Sequence, residues 1–287
     1  GKTLVTFGNS VNVLQDKSSS DLMGMLGLGF RVGEWAREIN ILESHIIGDP
    51  SFRFSGGKAA QIDLHADGPD YWLSVLEREE HPDLKGLALR KLFYLQYEGM
   101  PELLVSTYHH SPWYAVRLQV YHLLQHYKGD AFGELIESSI YDPYEFIRRK
   151  SVFSMGRIGS DRFIPFLASV YLNDYLDERV YFNAIFTFDL MDMDKLEAEV
   201  KKQLGENNSF PDKERVWKEF KASLDSRRRI AAMADDVINK GKPLKARLSA
   251  ARMLRNYAYH HRVGEYLDVI ADDTEEESLR ITLAEAL

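Results

Sequence analysis

A basic residue returns along this chain at an almost fixed interval. Lys85, Arg117, Arg148, Arg179, Arg215, Arg247 and Arg280 are separated by 32, 31, 31, 36, 32 and 33 residues. The positions one before, three after and seven after the marker are apolar or small, as in Leu84, Ala88, Leu92 and in Leu279, Leu283, Leu287. That spacing is one face of a helix. Six residues before the markers stand Glu79, Ser111, Asp142, Asn173, Ser209, Gly241 and Thr274, which the pattern reads as helix N-caps. Pro82, Pro112, Pro143, Pro211 and Pro243 follow five of them and read as helix starts, where a missing N–H is harmless. A second apolar helix precedes each marker helix, over residues 72–76, 103–108, 135–140, 163–172, 196–204, 230–238 and 266–270. One such pair cannot bury its own apolar stripe, so pairs at this period predict stacking into an α-solenoid.

The clearest unit is residues 142–159, DPYEFIRRKSVFSMGRIG. Its run from Asp142 through Ile147 to Arg148 resembles HEAT repeats, especially the short bacterial form named after phycobilisome lyases. The resemblance covers about residues 70–287. It implies an all-α fold, a right-handed α-α superhelix of six or seven helix pairs, with Asp and Arg in ladders along the inner helices. It also implies binding of other macromolecules. The tetratricopeptide signature, which has a similar period, is absent. Glu178 and Glu214 occupy positions that should be apolar, so the register near Arg179 and Arg215 departs from the pattern. Near Arg215 the stripe moves to Val216, Phe220 and Leu224.

Residues 1–69 do not carry the repeat and read as an irregular N-terminal cap before the helical repeats of 70–287. Within the cap, residues 4–7 read as extended and residues 34–47 as an amphipathic helix through Trp35, Ile39, Leu42 and Ile46. Residues 52–54 and 62–64 could pair as a hairpin around Ser55, Gly56 and Gly57, or equally residues 58–64 could begin a degenerate helical cap. The opening GKTLVTF has neither Met nor a signal-like apolar stretch, which reads as a trimmed start or a removed leader. No apolar run approaches the length of a membrane span. A cytoplasmic location is therefore expected. Without cysteine, disulfides and thiolate metal sites are excluded.

The formal charge of −8 disfavours general nucleic-acid binding, but it is unevenly spread. Residues 211–262 hold 14 Lys/Arg against 6 Asp/Glu, while residues 263–287 hold 8 acidic residues against Arg280 alone. Arg227, Arg228, Arg229, Lys242, Lys245 and Arg247 thus form a candidate basic patch for an anionic partner, set against the plainer reading of solvated helix faces. A second candidate is a groove of Trp113, Tyr114, Arg117, Tyr144, Arg148, Tyr175 and Arg179, because aromatic residues and arginine dominate binding hot spots.

Catalytic and cofactor motifs are weak. Gly27, Gly29 and Gly33 have the wrong spacing for a dinucleotide loop, and Gly1-Lys2-Thr3 lacks the glycine-rich loop of a phosphate site. His122 and His126 have the i, i+4 spacing of metal ligands, with His109 or His110 as a third, but read more simply as groove-lining residues. No cofactor and no metal are expected. The reading is a non-enzymatic protein-binding or scaffold protein whose partner is another protein, possibly acidic. The alternative is an enzyme on the same scaffold, with DNA-glycosylase-like base processing or phycobilin-lyase-like activity. Finally, Leu279, Leu283 and Leu287 form a stripe on a last helix with no polar outer face, which predicts a homodimer through that helix or a longer chain.

Overall fold

The computed structural model describes residues 3–9, 21–39, 44–55, 61–127, 129–174, 176–256 and 259–287. The chain is all-α, with one two-stranded sheet among these residues. It divides into two units, residues 1–132 and 133–287.

The first unit begins with β1 (Val5–Asn9), α1 (Gly24–Gly27), α2 (Val32–Ile39) and β2 (Ser44–Gly48). β1 and β2 are antiparallel, with Phe7 opposite Ile46. Of the helix expected over 34–47, residues 34–39 belong to α2, Leu42 lies outside the described residues, and residues 44–47 are strand. Ile46 and Ile47 are β-branched and find a strand partner far away in sequence, which helical periodicity cannot register. The hairpin expected around residues 52–64 is also corrected, although its Gly56–Gly57 turn lies outside the described residues. Residues 50–52 instead offer carbonyls to the first amides of α2, Phe52 to Val32 (2.9 Å) and Pro50 to Gly33 (2.8 Å). A Cβ at Gly33 would lie 3.0 Å from the Pro50 side chain, so this glycine serves a close chain crossing.

Four helices follow: α3 (Pro69–Arg78), α4 (Pro82–Tyr94), α5 (Met100–His110) and α6 (Tyr114–Leu124). They form the hairpins α3–α4 and α5–α6, and α4 packs on α6. Arg90 of α4 binds the N-terminal region to this layer. It donates to Gln119 of α6 (2.8 Å), to the Glu38 carbonyl (2.9 Å) and to the Asp21 carboxylate. Gln119 donates to the same carboxylate at 2.9 Å, and Lys91 pairs with the buried Glu38 at 2.8 Å. Buried charges persist when every member of the network has a partner, as here.

The second unit contains α7 (Ala131–Ser139), α8 (Glu145–Ile158), α9 (Ile164–Asn173), α10 (Glu178–Thr187), α11 (Met193–Glu206), α12 (Lys213–Ile238), α13 (Leu244–Met253), α14 (Val263–Ala271) and α15 (Glu277–Ala284). α8 packs on α10, α9 on α11, α13 on α15, and the hairpins α12–α13 and α14–α15 close on themselves. Ile147, Val152 and Met155 of α8 are fully buried, as the repeat pattern requires. The marker helix of Arg215 and the apolar helix expected over 230–238 are one 26-residue helix, α12, because no Gly or Pro interrupts it. Its buried stripe runs through Phe220 and Leu224 to Arg227, the shifted register.

Helix starts are also later than expected. The N-caps of α4, α6 and α8 are His81, Trp113 and Tyr144, each two residues past the expected position. Ser111 and Asp142 instead accept from the amides of Trp113 (3.2 Å) and Tyr144 (2.8 Å), shaping the turn that leads into the helix. At the last helix Leu279 and Leu283 are buried with Val237, Leu254, Tyr259 and Tyr266, and only Leu287 of that stripe is exposed. The open apolar stripe that motivated a dimer through α15 is thus filled within its own unit.

Candidate functional site

The marker cations have a shared local task. Lys85 donates to the Leu76 carbonyl (2.6 Å), Arg117 to Ser111 (3.0 Å), Arg148 to Asp142 (2.8 Å), Arg247 to Val237 (2.9 and 3.0 Å) and Arg280 to Ile270 (2.7 Å). Each acceptor lies in the last turn of the preceding helix or just beyond it. Carbonyls there lack intrahelical donors and carry the negative end of the helix dipole, so a cation satisfies both. Arg148 is further held by Asp174 (2.7 Å) and Asp177. Arg179 and Arg215, the two markers with an acidic residue in the apolar position, are exposed and make no such strap among the described residues.

The residues of the groove expected from the sequence fall in both units. Trp113, Tyr114 and Arg117 belong to the first unit, and Tyr144, Arg148 and Arg179 to the second; Tyr175 lies outside the described residues. Arg117 and Arg148 are committed to their straps. Trp113 is half exposed and lines a cleft of about 770 Å³ with Leu76, Glu79, Lys85, His110 and Pro112, between the ends of α3 and α5. That volume is in the range of ligand clefts.

The basic patch is largely neutralised from within. Arg228 pairs with Asp194 (2.5 Å) and Glu197 (2.7 Å), and Lys242 with Asp236 (3.1 Å). Arg247 is buried in a bidentate pair with Glu275, at 2.7 and 2.9 Å. Arg227 is buried against the ring of Phe186 (3.7 Å) and lies 4.0 Å from Asp189. Burial pushes the Asp189 carboxyl up; Arg227 and the Tyr259 hydroxyl, at 3.3 Å, oppose the shift. Arg229 and Lys245 are exposed.

A different surface in the second unit has the composition of a binding site. Phe153 of α8 and Phe182 and Phe186 of α10 are 49%, 57% and 41% exposed. They lie opposite the buried stripes of their helices. Thr187, at the end of α10, donates to the Val152 carbonyl and lies beside Gly156 near the end of α8, so the two helices run parallel in contact. Each aromatic stripe thus belongs to the exposed surface of its own helix. Cations lie over aromatic rings of both helices: Arg149 and Lys150 over Phe146 (4.8 and 5.1 Å), Arg157 over Phe153 (5.5 Å) and the buried Arg227 over Phe186 (3.7 Å). Phe182 and Phe186 lie ring to ring at 4.3 Å. The sequence signal was available: aromatic residues at i, i+4 on the side of a helix away from its apolar stripe.

Among the described residues no three His, Asp or Glu side chains converge as a metal site. α6 ends at Leu124, so His126 lies past the helix, beside Phe93, and the i, i+4 geometry with His122 is lost. No helix among the described residues is long and apolar enough to cross a membrane. No protein-family model matches the chain, and no curated protein matches it in sequence.

Proposed function

We propose that this chain is a HEAT-like helical-repeat protein, an α-solenoid that acts as a non-enzymatic binding or scaffold protein with another protein as its partner. The observation that carries this reading is the aromatic face of α8 and α10. Three phenylalanines held 41–57% exposed on two packed helices cost solvation that a free surface has no reason to bear. Aromatic side chains and arginine are the residues enriched where proteins meet. The side-by-side packing of α8 on α10 and of α9 on α11, at the period of the markers, supports the solenoid part of the proposal.

The test is affinity capture with three proteins: wild type, Phe182→Ser, and Lys202→Ser as a control on an exposed face of α11. Partners retained by wild type and by the control should be lost with Phe182→Ser. Retention by all three removes this face from the binding function.

A further inference from the structure

We infer that the cleft at the C-terminal ends of α4 and α6 is an aromatic cage for a quaternary ammonium group, borne on a trimethylated lysine side chain or on a free choline-type cation. The cleft belongs to the first unit, and the inference does not rest on the phenylalanines of α8 and α10.

α4 ends in a left-handed cap. The amides of Tyr97 and Gln96 donate to the carbonyls of Leu92 (3.0 Å) and Phe93 (3.0 Å), the pair of bonds that folds a chain back over its own helix end. Gln96 has φ +54°, a conformation that glycine usually supplies. Residues with side chains held there cluster at ligand sites, and Gln96 lines the cleft. The turn brings Tyr97 over Gly99, where a Cβ would lie 3.2 Å from its ring. From beyond the last turn of α6 come His126 and Tyr127. Around Phe93 the rings of Tyr94, His126 and Tyr127 stand at 5.7, 5.6 and 5.8 Å, inclined to it by 69°, 53° and 83°. Together with Tyr97 and Glu98 they border about 500 Å³, a volume in the range of ligand clefts.

The lining selects a cation that carries no hydrogen-bond donor. Rings set steeply to one another offer their electron-rich faces to a positive group between them. Glu98 is the one carboxylate of the lining, which contains neither Lys nor Arg. The carbonyl ends of α4 and α6, negative ends of both helix dipoles, lie at the same place. An anion would find no counter-charge there. Among the described residues the Glu98 carboxylate and the hydroxyls of Tyr94, Tyr97 and Tyr127 are in no hydrogen bond or ion pair, so the site is not already filled by the chain's own groups. A primary ammonium or a guanidinium brings several N–H donors, and each must find an acceptor to leave water without loss. A trimethylammonium brings none, and its methyl groups bury against the rings.

Isothermal titration calorimetry with full-length protein tests this with four ligands. These are choline, its uncharged carbon isostere with a tert-butyl group, a short peptide with a central trimethyllysine, and the same peptide with lysine. Choline should bind saturably and the isostere about tenfold more weakly, and the methylated peptide should bind about tenfold more tightly than its lysine twin. Tyr94→Ala should weaken both methylated ligands about tenfold and Glu98→Gln about threefold. Both side chains are exposed, so circular dichroism should not change. Phe54→Ala, an exposed ring outside the cleft, should leave binding as in wild type. Tighter binding of the methylated peptide than of choline assigns the group to a protein's lysine, and choline binding at least as tight assigns it to a small molecule. Equal binding of the isostere and choline overturns the inference, and so does equal binding of the two peptides. Binding insensitive to both Tyr94→Ala and Glu98→Gln, or no binding of either methylated ligand, overturns it as well. None of these results bears on capture through Phe182, which stands or falls by its own test.

Discussion

Glu275 and Arg247 meet through two parallel hydrogen bonds inside the last core of the second unit, while Arg247 also closes the end of α12. The arginine's hydrogen bonds hold the Glu275 carboxyl below its ordinary value of 4.5. A carboxylate whose folded pKa is depressed stabilises the fold above its unfolded pKa, and that stability is lost as pH falls through the folded value. Melting temperature should therefore fall on acidification from about pH 5 to about pH 3 more steeply in wild type than in Glu275→Gln. At neutral pH the variant should cost about 3–5 kcal/mol, because Arg247 is left buried without its counter-charge. Thermal melts across that acid range check the first statement, and a denaturant titration at neutral pH checks the second. The marker arginines were easy to find in the sequence. Their straps were not, because the bond joins a side chain to a backbone carbonyl of the previous helix, and no residue type signals the acceptor.

Between helices, the same straps distinguish markers that look alike in sequence. Arg148→Ala removes charged hydrogen bonds to Asp142 and Asp174 and should destabilise by about 1.5–3 kcal/mol. Arg179→Ala, at an exposed marker, should stay within about 0.5 kcal/mol of wild type. Equal losses at both positions would contradict the strap. Core positions read from the repeat pattern behave as expected of them: Leu124 and Ile147 are fully buried, and truncation of either to Ala should cost about 2–5 kcal/mol. In the sheet, Gly48 has φ +115°, and a Cβ there would lie 3.0 Å from Val5 Cα and against the Leu4 carbonyl oxygen. Gly48→Ala should thus unpair β1 from β2, seen as faster amide exchange over residues 5–9 and 44–48. Helices from 70 onward were legible because their period is local. The pairing of residues 44–48 with 5–9 was not, since strand partners are chosen across a long stretch of chain.

For the whole molecule, the all-α class and the hairpins α3–α4, α5–α6 and α14–α15 could be read from the markers, while the fused helix α12 and the division at residue 132 could not. The N-terminal region gave no repeat signal, yet Asp21 and Glu38 meet Arg90 and Lys91 in a buried network. In the sequence those four charges look like ordinary surface residues. A stack of helix pairs transmits stability only to its neighbours. The solenoid proposal therefore predicts that Leu279→Ala with Leu283→Ala opens the core of Val237, Leu254 and Tyr266 but leaves amide protection in α3–α6 unchanged. Uniform loss of protection along the chain would refute nearest-neighbour stacking.

The straps also have a consequence for how such a chain can be altered. Donor and acceptor are six residues apart at Arg117 and Arg148, nine at Lys85 and ten at Arg247 and Arg280. A long, flexible side chain spans all of these, so the clasp keeps two helix ends together over turns of different length. Those turns are consequently the natural ports for grafting: a few residues, an epitope or a tag inserted within a clasped turn should leave the neighbouring helices in register. Ahead of Arg215 the same task falls to Lys213, which donates to the Gly205 carbonyl (2.9 Å) in the last turn of α11, so that turn takes an insertion on the same terms.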